Sequence, residues 1–134
     1  MGRTNADYMA LLLNLKQSGV KSKFLKNTMR DKLKQSDQGS NNPIKAYLKS
    51  DIKLYEYDYG EEGRDVIHSI AQWYVAYLIN NFGEESMIEF NKDLDSMGFE
   101  NSFIKHFEKS YQNSVGDFNI FIKQSMKKIL KIIP

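Results

Sequence analysis

The sequence predicts an all-α fold: a single compact domain of about six helices over residues 1–134, with a flexible loop at 36–43 and a short extended segment near 53–59. Three observations point there. Apolar residues recur at three- and four-residue spacing along most of the chain. Glycines, hydroxyls and carboxylates stand where helices should stop and start. Only two prolines occur in 134 residues, so little interrupts helix formation. The length suits one domain and is short for two.

Thr4 and Asp7 have capping-box spacing, and Tyr8, Leu11, Leu12 and Leu15 follow at helical intervals, with Gly19 placed to end a first helix. A second helix is predicted over 22–35, burying Phe24, Leu25, Thr28, Met29 and Leu33 and turning its lysines outward. Residues 36–43 (SDQGSNNP) read as loop. Ile44, Tyr47 and Leu48 suit a short helix, whereas Tyr55, Tyr57 and Tyr59 alternate as in an extended segment that lacks a second strand to pair with. A long helix over 61–81 carries Val66, Ile70, Trp73, Tyr74, Tyr77 and Leu78 on one apolar face and stops at Gly83. The next, over 84–97, has an acidic first turn that complements the helix dipole and closes at Gly98. Phe103, Ile104, Phe107 and Tyr111 mark a further helix. Ser114 and Asp117 repeat the capping-box spacing and open a last helix that carries Phe118, Phe121, Ile122, Ile129 and Ile133 inward, with Gly116 a weak point in its first turn.

Composition narrows the chemistry. There is no cysteine, which removes disulfides, thiolate metal sites and Cys nucleophiles together. Two histidines cannot build a histidine-rich metal site. The net charge of +2 conceals a block pattern. Residues 1–50 hold ten Lys/Arg against three Asp/Glu (+7), residues 51–100 three against twelve (−9), and residues 101–134 six against two (+4). Such a chain can neutralise itself by folding back, whereas a nucleic-acid binder keeps its positive excess on one surface; nucleic acid is therefore not the expected partner. No stretch reaches the ~18 apolar residues of a membrane span. Leu11-Leu12-Leu13 lies between Asp7 and Lys16, unsuited to a signal-peptide core, and Ala6 replaces the Ser or Thr of a myristoylation signal. These features leave no membrane partner expected and the compartment open.

Local motifs fail as chemistry. Asp93-x-Asp95-x-x-Gly98 opens like a calcium loop, but Met97 and Ile104 fall on ligand positions, so these residues read as a glycine-capped helix end. His68 lies beside Ser69 and three residues after Asp65; adjacent helical residues point about 100° apart, so Ser69 and His68 are poorly placed to share a proton. His106, between Lys105 and Phe107, reads as solvent-facing. Asp58, Glu61 and Glu62 around Gly60 complement a helix N-terminus, and Lys127, Lys128 and Lys131 the opposite pole. Trp73, Tyr74 and Tyr77 read as core rather than as a ligand platform.

Two segments carry a resemblance. Gly2-Arg3-Thr4-Asn5-Ala6-Asp7-Tyr8-Met9-Ala10 resembles the helix that follows the third zinc ligand in gluzincin-type (peptidase MA-like, HExxH) zinc metallopeptidases. Tyr59-Gly60 and the run from Ala71 through Tyr77-Leu78 to Phe82-Gly83 are similar to that family's aromatic-Gly segment and the helix after it, and 103–118 to the short helices that close such domains. The resemblance implies the helical C-terminal part of such a protein, as a truncated reading or a stand-alone remnant. The HExxH helix is missing and no carboxylate stands near Met1 where a third ligand would fall, so no catalytic, metal or cofactor residue carries over. The resulting expectation is a catalytically inert helical domain, with a small helical protein–protein interaction module as the alternative. Its partner would be the missing upstream half or a second copy in a homodimer. The candidate association surface is Tyr8, Leu11, Leu12 and Leu15 together with Tyr55, Tyr57 and Tyr59. A third reading, nucleic-acid binding through the basic residues of 16–34, runs against the charge pattern.

Overall fold

A computed structural model describes residues 22–34 and 61–133, with side chains over 25–33 and 69–133. The described residues form six α-helices and a closing 3₁₀ turn. They are α1 (Ser22–Lys34), α2 (Glu61–Phe82), α3 (Glu84–Met97), α4 (Phe99–Phe107), α5 (Tyr111–Ile122) and α6 (Met126–Ile129), followed by the turn Leu130–Ile132. No strand occurs among these residues, and the all-α prediction holds. The segment at 53–59 and the first predicted helix lie outside the described residues.

The architecture is a hub with a covering. From Ile70 to Ala76 every residue of α2 is buried, on all sides of the helix. A helix buried around its whole circumference must be surrounded, and α2 touches α1, α3, α4, α5 and the closing turn. Its 22 residues give it a length of about 33 Å, enough for successive neighbours along its axis. Trp73 and Tyr74, both fully buried, supply the bulk.

α1 depends on this hub. A helix of 13 residues is marginal alone in water. Leu25, Met29 and Leu33, one turn apart, are buried in the common core, each contributing about 1.5–3 kcal/mol of gross burial.

α2, α3 and α4 are joined by single glycines. Gly83 (φ 89, ψ 160) and Gly98 (φ 80, ψ 164) each end one helix and start the next. Each donates its N–H backward, Gly83 to Ile79 O at 2.7 Å and Gly98 to Leu94 O at 2.9 Å. This backbone region is essentially reserved for glycine. The joints fold α3 and α4 into a hairpin whose interface is aromatic. Phe90 of α3 meets Phe99, Phe103 and Phe107 of α4 at centroid distances of 5.8, 5.8 and 5.2 Å.

The C-terminal third departs from expectation in two ways. The helix opens at Tyr111, capped by Ser110, whose Oγ accepts the Asn113 N–H at 3.2 Å; Ser114 lies inside it, buried. Tyr111 therefore belongs to α5 and not to the preceding helix. The helix stops at Ile122, and three residues separate it from α6, so Ile129 and Ile133 reach the core from a separate short segment. Of the residues whose spacing marks α4, Phe103 and Phe107 are buried and Ile104 is 49% exposed, on the far side.

Candidate functional site

Polar groups inside the bundle hold helices together. Trp73 Nε1–H donates to the Met29 carbonyl at 2.8 Å, pinning α1 to α2. Tyr74 OH donates to Ser114 Oγ at 2.7 Å, pinning α2 to α5. Ser102 Oγ donates to the Phe90 carbonyl at 3.0 Å, pinning α4 to α3. All three bonds are buried, where an unmade bond is costly. Burial pushes the Tyr74 phenol far above its ordinary pKa, outweighing the opposing Ser114 bond. That hydroxyl stays protonated and is no candidate base.

The densest cluster of titratable groups lies across the α3–α4 hairpin. His106 Nε2 is 2.7 Å from Asp93 Oδ2, and Lys105 Nζ is 3.0 Å from the same oxygen. His106 is therefore not solvent-facing as expected; its side chain is 13% exposed. The reason is a carboxylate 13 residues earlier, which no local pattern reveals. The His106 and Lys105 bonds, in that order, hold the Asp93 carboxyl below its ordinary pKa. A His–Asp pair can relay a proton. Here a lysine competes for the same oxygen, and the arrangement works as one carboxylate shared by two side chains of the neighbouring helix, joining α3 to α4.

Other candidates are dispersed. The calcium-like run is divided: Asp93 is taken by Lys105 and His106, Asp95 is exposed, and Gly98 is the helix joint. Lys109 and Asp117 pair at 2.7 Å beside the start of α5. Trp73 and Tyr74 are core, as the spacing predicts, with Tyr77 half-buried against Phe118 and Phe121. Among the described residues no three His, Asp or Glu side chains form a group that could hold a metal. No helix of the described residues is long and apolar enough to cross a membrane. The association surface of Tyr8, Leu11, Leu12, Leu15, Tyr55, Tyr57 and Tyr59, and the side chains of Asp65 and His68, fall outside the described residues. Among the described residues three large apolar side chains stand in solvent, Ile88 (39%), Ile104 (49%) and Ile120 (70%). No family model, no curated protein and no solved structure matches this chain.

Proposed function

We propose that this chain is a catalytically inert helical domain that serves as a packing scaffold for another protein segment. One observation supports it above the rest: Trp73, Tyr74 and Ser102, three polar side chains buried at helix junctions, are spent on helix-to-helix hydrogen bonds. Groups so engaged hold a shape and are not available to a substrate. The gluzincin resemblance suggests the segment served, an upstream half bearing HExxH that would pack over the helical part. Elemental analysis of the purified chain tests the inert reading. The expected outcome is no stoichiometric zinc, and one tightly bound zinc per chain would overturn it. The coding sequence upstream of Met1 tests the metallopeptidase link, which requires an in-frame HExxH there.

A second reading, a small interaction module, draws support from the exposed Ile88, Ile104 and Ile120. Isolated exposed aliphatics are ordinary on protein surfaces, so this reading ranks below the first. A partner whose capture is lost in Ile120→Ser, with helix content unchanged, would reverse the order.

A further inference from the structure

We propose that the face built from α1 and the C-terminal α6–3₁₀ segment binds the phosphate backbone of a nucleic acid. In sequence, two basic blocks flank an acidic one, and mutual neutralisation is the simplest expectation. Among the described residues the fold brings two of the basic stretches together. α1 rests on the turn Leu130–Ile132, and Leu25 and Met29 share one core with Ile129 and Ile133. Two basic elements far apart in sequence thus lie side by side. α1 contains five Lys/Arg and one Asp, and residues 118–134 contain four Lys and no acidic residue.

Two acidic side chains of α3 are engaged by other partners. Asp93 of α3 is taken by Lys105 and His106 of α4, and Glu89 by Lys92 of its own helix. A further ion pair joins Lys109 to Asp117. None engages Lys127, Lys128 or Lys131, all three exposed. Among the described residues, three exposed lysines thus lie beside a helix rich in basic residues, a local basic patch of the kind a backbone binder uses.

The run Met126–Ile133 also has the composition of a cationic segment that lies on an anionic bilayer, and burial decides between the two surfaces. Such a segment needs an apolar face free to enter the lipid. Here Ile129 and Ile133 are each 1% exposed and turned into the core, and Leu130 and Ile132 pack against it. What remains outside is a set of lysines, which suits a polyphosphate that gains affinity from counterion release. Among the described residues no aromatic ring is one of the large apolar side chains exposed to solvent; phosphate contacts carry no sequence information, so binding through these lysines should be independent of sequence.

The test is fluorescence anisotropy of the full chain with labelled random-sequence DNA and RNA duplexes, titrated between about 50 and 200 mM salt. The expected result is salt-sensitive binding to duplexes of unrelated sequence. Lys127→Gln/Lys128→Gln/Lys131→Gln should weaken binding at the lower salt by about tenfold or more and flatten the log–log salt slope by about three. Lys92→Gln, on the acidic helix, should leave it unchanged. Circular dichroism checks that the triple variant keeps its helices; if it does not, Lys131→Gln alone should flatten the slope by about one. Failure of the wild-type chain to bind either duplex overturns the proposal, as does a slope insensitive to these lysines. Binding to phosphatidylserine vesicles without binding to duplexes overturns it in favour of a lipid surface.

Discussion

Tyr74 shows how much one buried hydroxyl can carry. Its proton is donated to Ser114 across two helices, while its ring lies 5.0 Å from Phe118. Tyr74→Phe keeps the ring and removes the bond, so the expected loss is about 0.5–1.5 kcal/mol by chemical denaturation. The pH dependence has a definite sign. A group whose pKa is raised by folding contributes stability below its unfolded value and loses it above. Stability should therefore fall as pH climbs past about 10, where the unfolded tyrosine ionises, and Tyr74→Phe should reduce that fall. Trp73, fully buried with its N–H engaged, should cost about 3–5 kcal/mol on replacement by Ala. Glu108 presents the opposite case. It holds φ 67 at the end of α4, a left-handed conformation that costs an L-residue roughly 1–2 kcal/mol. Glu108→Gly should gain up to about 1 kcal/mol after glycine's own entropic cost, read as a rise in melting temperature.

Among the elements, the ends marked by glycine were the most legible. The predicted bounds of α3 match the structure because Gly83 and Gly98 sit at both of its ends, and a glycine needed for its backbone is visible in sequence. The structure adds why only glycine serves. A Cβ at either position would meet nothing within 4 Å, so Gly98→Ala should cost about 1–3 kcal/mol from backbone strain alone. The start of α5 was misread for a physical reason. Ser114-x-x-Asp117 has cap spacing, but Ser114 is drawn inside by Tyr74, 40 residues away, and Ser110 caps instead. The same blindness to distant partners hid the Asp93–His106 pair. The candidate association surface was read from spacing alone, and the described residues do not include it. Asp93 has a pH signature: its depressed pKa stabilises the α3–α4 hairpin above the unfolded carboxylate value and that contribution disappears as acid protonates it. Asp93→Asn should flatten the acid side of the stability profile, measured by denaturant midpoint against pH.

For the whole molecule, α2 is the organising principle among the described residues, because α1, α3, α4, α5 and the closing turn all pack on it. The helices α2–α5 should unfold in a single transition, which the departure of α1, a short helix marginal alone, can precede. The proposed link to a larger protein makes a separate demand. A helical half that lacks its partner should cover an apolar face by self-association, and Leu12→Glu should shift light scattering from dimer to monomer while helix content stays. A strict monomer in the wild-type chain would count against that link.

The Trp73–Met29 bond has one more consequence, because Trp73 is the only tryptophan in the chain. Its indole is an optical reporter wired to a single neighbour. When α1 lifts from α2, the N–H loses the Met29 carbonyl and water reaches the ring, so the emission should move to the red. The remaining helices need not melt for that to happen. A red shift that precedes the loss of ellipticity would therefore time the departure of α1, with no label added.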